Sequence, residues 1–228
     1  MASLLHHPLC AFSRSIRLAL AECGVEAELN EEKPWEWRPE FLALNPAGTL
    51  PVLIPDDGPP IAGWYAISEW LSDTLDDRPI TAFQPFPGEA DARAEARRLV
   101  EWFHHKFHSE VTDYLVIEKV FRRFGPNSTS PDMDAMRAGR ENLRYHMAYI
   151  GHLTETRSWL AGDALSFADL AAAAHLSALD YIGEVPWEQF EAAKNWYALV
   201  KSRPSFRPLL LDRVAGFVPA GTYADLDF

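Results

Sequence analysis

The sequence predicts an α/β unit followed by an all-α unit, and three observations carry that prediction. The first 80 residues alternate strand-like and helix-like signals, residues 76–88 are too rich in proline for a helix or a central strand, and the remainder carries apolar stripes at helical spacing. With 228 residues, 48% of them hydrophobic, the chain is long enough to bury one large core or two small ones.

Each element follows from its local pattern. Residues 3–7 read as a short strand and residues 13–23 as a helix ending at Gly24, which is the grammar of a βαβ unit. Residues 26–30 supply a second strand and residues 37–44 a short helix. Residues 51–54 and 60–62 form an antiparallel pair around Asp56-Asp57-Gly58, and residues 66–75 close the unit as a helix. The order βαβαββα is that of a thioredoxin-like domain, placed at residues 1–78 with a linker at 79–87.

The all-helical domain then spans residues 88–212. Leu99, Phe103, Phe107, Val111 and Leu115 step by four, while Met136, Leu143, Met147 and Ile150 keep one face, so both sets read as core stripes. Gly125-Pro-Asn-Ser-Thr-Ser-Pro-Asp132 breaks the chain between these two helices, with Ser130 or Asp132 as the cap of the second. Ser166 and Asp169 form an S/T-x-x-D capping-box variant that opens an alanine-rich helix. Residues 213–228 remain as a C-terminal tail.

Composition narrows the function. A formal charge of −12 argues against general binding to nucleic acid or acidic membranes. Cys10 and Cys23 are too few for a disulfide scaffold and too widely placed for a zinc site, which fits a reducing compartment. With neither a cationic leader nor a membrane-length apolar run, the chain reads as soluble and cytoplasmic, with no membrane insertion.

The richest motif runs from Asn45-Pro-Ala-Gly-Thr-Leu-Pro-Val to Ile61-Ala-Gly-Trp-Tyr-Ala-Ile67. It resembles the glutathione transferase (GST) superfamily, and the likeness covers residues 3 to about 211, rests on four linked motifs and implies the GST fold, an N-terminal thioredoxin-like domain followed by a C-terminal helical one. The resemblance implies a cis peptide at Leu50-Pro51, with the Leu50 backbone free to pair with the cysteinyl part of glutathione. It also implies a Glu-Ser or Gln-Ser pair holding the γ-glutamyl end, and here that pair is Gly63-Trp64. The exchange removes an acceptor for an ammonium and a donor for a carboxylate and inserts an indole. Charge-assisted bonds of about 1.5–3 kcal/mol each are lost, which takes a micromolar ligand towards millimolar. No cofactor is expected, glutathione binding is expected to be weak or absent, and backbone groups offer the only other route to it.

Two chemistries compete with a binding role. Cys10 stands where several GST classes place a catalytic serine or cysteine. The helix dipole and Arg14, one turn on, would lower its pKa for thiol transfer through a mixed disulfide, Ser13 standing in for a resolving cysteine. The plainer reading of Cys10 is a small packed residue. His104 and His108 lie at i, i+4, yet no HExxH motif or acidic cluster completes a set, so a solvated polar face is expected and no metal site.

Three surfaces suit an adaptor. The tail residues Asp225, Leu226, Asp227 and Phe228 combine carboxylates with apolar side chains, fitted either to a partner's groove or, with Phe217 and Tyr223, to packing back on the protein. Arg137, Arg140 and Arg144 form a stripe that can meet an acidic partner or simply make surface ion pairs. Trp35 and Trp37 precede the second helix as candidates for a homodimer contact. Within the superfamily, the overall sequence is similar to an FtsZ-localised, GST-like branch of alphaproteobacteria. That likeness implies binding to filaments of FtsZ, a tubulin-like GTPase, and a part in constriction at the division site.

Overall fold

The computed structural model describes residues 1–74, 83–122 and 129–226. Part of the expected linker, part of the loop before the second long helix, and Asp227 and Phe228 lie outside the described residues.

The first unit runs β1 (Ala2–His6), α1 (Ala11–Glu22), β2 (Ala27–Glu31), α2 (Pro39–Leu44), β3 (Val52–Ile54), β4 (Ile61–Ala62) and α3 (Trp64–Thr74). The sheet order is β2-β1-β3-β4, with β1 parallel to β2 and the other pairs antiparallel. Alternation along the strands sends side chains to opposite faces. Leu4 and Leu53, paired across β1 and β3, pack into the main core with Ile16, Ile67 and Leu71, whereas Leu5 and Val52 point the other way onto Phe41 and Leu50. The helix expected from residue 37 begins two residues later. Trp37 sits in the left-handed region at φ 50°, at the end of a short 3-10 turn (Pro34–Glu36), and Pro39 then supplies a preset first turn.

The second unit runs α4 (Ala90–Glu101), α5 (Trp102–Phe121), α6 (Met133–Thr154), α7 (Phe167–Tyr181), α8 (Glu191–Lys201) and the short α9 (Arg207–Leu210). Helix α5 continues α4 without a break but is π-wound. A strict step of four overshoots the α-helical repeat of 3.6 residues by about 40° each time, and a wider turn removes much of that drift. Accordingly Leu99, Phe103, Phe107, Val111 and Leu115 are all fully buried. Asp132, rather than Ser130, caps α6, its carboxylate accepting the Asp134 and Ala135 N–H groups at 2.9 and 3.1 Å. The expected capping box is present at α7, every residue of which is buried. Asp169 also accepts from Leu160 N–H at 2.9 Å and Trp196 Nε1–H at 3.0 Å, so this one carboxylate ties a loop and α8 to the central helix.

The tail is a strap up to Tyr223. Ala220 N–H donates to the Tyr181 carbonyl at 2.9 Å, Lys201 Nζ donates to the Thr222 carbonyl at 2.7 Å, and the Tyr223 ring is fully buried, edge-on to Tyr181. Packing back is therefore what Phe217 and Tyr223 do; the ring centroid of Phe217 lies 6.2 Å from that of Tyr181. Among the described residues, no helix is long and apolar enough to cross a membrane.

Candidate functional site

The thioredoxin-like unit presents the start of α1 and the loop before β3 towards α5, and a cleft of about 380 Å³ opens between them. Asn45 shapes that loop, its amide donating to the Thr49 carbonyl at 2.8 Å and its carbonyl oxygen accepting from Ala47 N–H at 3.2 Å. The Leu50-Pro51 peptide is cis, as the resemblance implied, and Leu50 lines the cleft. The Pro51 carbonyl accepts the Gly63 N–H at 2.9 Å, which fixes the start of α3 against β3.

Gly63 has φ +87°, and nothing lies within 4 Å of the position a Cβ would take. Space would admit a side chain there; the backbone conformation disfavours one. Trp64 turns towards α5, its ring centroid 4.6 Å from that of His104. The indole is thus an interdomain contact, and it does not line the cleft beside Cys10.

His104 corrects the expectation of a solvated histidine face. It is buried within a relay that runs Ser15, His104, His175, Thr112 across α1, α5 and α7, with separations of 3.1, 3.1 and 2.8 Å. Ser15 Oγ spends its proton on the Phe12 carbonyl at 2.8 Å, so it accepts from His104 Nε2–H. His104 Nδ1 must then accept from His175 Nε2–H, and His175 Nδ1 from the Thr112 hydroxyl. Both rings are neutral in this arrangement, consistent with burial driving His104 down to about 3 and His175 well below its usual range. The sequence spacing could not reveal this, because the partners Ser15 and His175 come from other elements. Among the described residues no group of three His, Cys, Asp or Glu side chains is placed to hold a metal ion.

Cys10 caps α1, its sulfur accepting the Ser13 N–H at 3.4 Å, and it lines the cleft. The expected thiolate activation does not follow, because burial raises the Cys10 pKa and the hydrogen bonds from Ser13 and Phe12 and the Arg14 charge offset only part of that. Arg14 is turned into the core instead, donating to Ser177 at 2.8 Å and to the Tyr223 hydroxyl at 3.1 Å, with Asp212 at 3.6 Å. Ser13 is fully buried.

The other sequence candidates are dispersed. Trp35 forms part of the cleft wall, 5.3 Å from His7 and 5.2 Å from Phe121 between ring centroids, while Trp37 is 62% exposed. Arg140 pairs with Glu184 at 2.7 Å, Arg144 donates to Gln189 at 2.8 Å, and Arg137 meets Asp134 on an open surface at 2.9 Å, so the stripe is largely occupied by the protein's own groups. Leu226 is exposed, and burial lowers the Lys201 pKa while the nearby Asp180 and, less, Asp225 oppose that shift. His7, Phe12, Asp113 and Phe121 line the cleft and were missed as site residues. No sequence signal singled them out, because the cleft is lined from stretches far apart along the chain.

Comparison with known proteins places this geometry. Residues 9–74 match the glutathione S-transferase N-terminal domain family and residues 112–204 the C-terminal domain family. The chain is 46% identical to FtsZ-localized protein A of Caulobacter vibrioides over 99% of this chain and 98% of that protein. Among solved structures it is similar to FzlA from C. crescentus, at 46% identity and TM-score 0.94, covering 100% of this chain and 99% of the other. It is similar as well to a glutathione S-transferase from Rhodospirillum rubrum F11, at 47% identity and TM-score 0.95, covering 100% of both.

Proposed function

The chain belongs to the glutathione S-transferase superfamily, and from that premise we propose that it is a non-catalytic, dimeric adaptor that binds FtsZ filaments and serves bacterial division and constriction. The observation that carries this reading is the likeness to FtsZ-localized protein A along essentially the whole of both chains. In this reading the protein works in the cytoplasm at the division site, as a thioredoxin-like domain at residues 1–78 joined through 79–87 to a helical domain at 88–212.

The site geometry supports a role without glutathione. Gly63 offers no side chain, Trp64 is committed to His104, and the Cys10 thiol is held protonated by burial. Of the partner-facing candidates among the described residues, Leu226 is the best placed, because its side chain is exposed beyond the buried Tyr223. Trp37 is the better dimer candidate, since Trp35 is engaged in the cleft wall. The second reading, a thiol transferase using Cys10, retains one observation in its favour: the thiol borders an open cleft.

Calorimetric titration with glutathione, run beside pelleting with GTP-assembled FtsZ, separates the two. The adaptor reading expects no saturable heat below millimolar glutathione together with co-pelleting. Sub-millimolar glutathione binding without pelleting overturns it.

A further inference from the structure

The sheet ends in two strands of unequal length. At one edge β4 has two residues, whereas at the other β2 has five and pairs on one side only, with β1. A very short edge strand gives a passing chain little to pair with; a longer one presents a row of unpaired backbone groups. The Glu32 N–H donates to the His6 carbonyl at 2.8 Å, so along this strand the even-numbered residues turn their peptide groups to β1. The N–H and C=O groups of Ala27, Leu29 and Glu31 therefore point away from the sheet, and no described strand takes them up.

The two faces of this edge differ. Leu29 stands opposite Leu4 and Ala27 opposite Ala2, so their side chains share the α1 face of the sheet. There a groove of about 150 Å³ runs between β2, Leu20 and Ala21 of α1, and Pro208 and Leu209 of α9. It is small beside the roughly 300–1,000 Å³ of a ligand pocket and suits single aliphatic side chains. Leu29 stays 43% exposed beside it. The opposite face carries Glu28 and Asn30, the latter donating to Ser3 Oγ at 2.8 Å. Glu26, Glu28 and Glu31 are exposed, and none of the three makes an ion pair among the described residues. Nearby cations are mostly engaged elsewhere: Arg17 pairs with Asp212 at 2.7 Å, Arg203 with Glu22 at 2.6 Å and the Met1 ammonium with Asp56 at 2.8 Å, and Lys33 lies 3.6 Å from Glu36. Arg207, at the start of α9, is exposed.

We propose that the outer edge of β2 docks an extended segment of another protein in which apolar and basic residues alternate, added to the four-stranded sheet as a further strand. Main-chain hydrogen bonds to Ala27, Leu29 and Glu31 hold the segment, and its alternate side chains are read on the two faces. The apolar ones enter the groove on the α1 face; the basic ones project to the other face and meet Glu28. Opposite charges across a strand pair stabilise it, and like charges oppose it. The same carboxylates disfavour a second copy of this chain as the occupant, since pairing two β2 edges would bring two sets of glutamates together. Charge on an edge is by itself an ordinary guard against aggregation. Here it is joined to an apolar groove on the reverse face, which a guard does not require.

Titration of the isotope-labelled full chain with two capped heptapeptides, one alternating lysine and valine and the other glutamate and valine, tests this by nuclear magnetic resonance. The lysine peptide is expected to bind saturably and to shift the amide signals of residues 27–31 and of Leu209. It should slow hydrogen exchange at the Ala27, Leu29 and Glu31 amides and leave unchanged those of Glu28 and Asn30, which already bond to β1. The glutamate peptide is expected to bind about tenfold more weakly, and Glu28→Lys to weaken the lysine peptide about fivefold. Glu28 is exposed, so its replacement does not threaten folding. Absence of saturable binding, shifts confined to other elements, equal affinity for the two peptides, indifference to Glu28→Lys, or unaltered exchange at the three outward amides each overturns the proposal. Slower exchange of those amides on raising the protein concentration alone overturns it in favour of a second copy. None of these outcomes alters the glutathione and pelleting results on which the adaptor reading depends.

Discussion

Gly63 and Trp64 stand where the resemblance implies a Glu-Ser or Gln-Ser pair. They were legible as a departure from a known pattern, yet the sequence could not say where the indole goes, because its partner His104 is 40 positions away on another domain. Cys10 shows the opposite failure. Its place ahead of a helix and near an arginine was read correctly, but the guanidinium is engaged with Ser177 and Tyr223, and its charge offsets only part of the effect of burial on the thiol. A thiol with a raised pKa alkylates slowly at neutral pH. The rate of Cys10 modification by iodoacetamide, measured on the Cys23→Ala variant, is expected to keep climbing through the alkaline range. A rate that levels off near pH 7 would instead reveal a neutral-pH thiolate and return the thiol transferase reading to favour.

At the scale of elements, apolar period and breakers located the strands and helices of the first unit and the helices of the second up to α7, but not α8 or α9, because one buried face is enough to write that signal into a long element's sequence. The π-winding of α5 was hidden, since a stripe with a step of four fits either a drifting α-helix or a wider one. Its pairing with α6 depends on Gly139. A Cβ at that position would lie 3.0 Å from Tyr114 Cβ and 3.1 Å from Leu115 Cγ, and the first of these is fixed to the backbone and cannot swing aside. Gly139→Ala gains up to about 1 kcal/mol of helix propensity. Overpacking two helices costs about 1–3 kcal/mol, so the net change is expected to be destabilising. Thermal unfolding should show a Tm lower by about 2–6 °C for a chain of this size. A Tm equal to or above the parent's would mean that α5 and α6 separate at little cost.

Across the whole molecule, the two units are joined by hydrogen bonds and ion pairs that reach from α1 into the helical unit. The relay of Ser15, His104, His175 and Thr112 crosses the interface, Arg14 and Arg17 of α1 reach Asp212 beyond α9, and Arg203 reaches back to Glu22 at 2.6 Å. Sequence reasoning saw histidines and arginines but not this use of them, since each link spans tens to hundreds of positions. The histidines have a collective consequence. His6 and His7 are lowered to about 4 and His104 to about 3, chiefly by burial, and His175 lies well below its usual range. Above pH 6.5 these rings are neutral whether the chain is folded or not, and they leave stability unchanged. Below it the unfolded chain takes up protons that the native state refuses, so stability falls with pH until the native pKa values are reached. Each unit of pH costs about 1.4 kcal/mol per histidine, and at pH 5 four such rings cost about 8 kcal/mol together, comparable to the roughly 5–15 kcal/mol that holds a domain folded. Acid titration followed by near-ultraviolet circular dichroism is therefore expected to show cooperative unfolding near pH 5, shifted to lower pH when His175 is replaced by glutamine. Native signal persisting at pH 4 would mean that these rings are protonated in the folded protein, and the one-way relay across the interface would have to be abandoned.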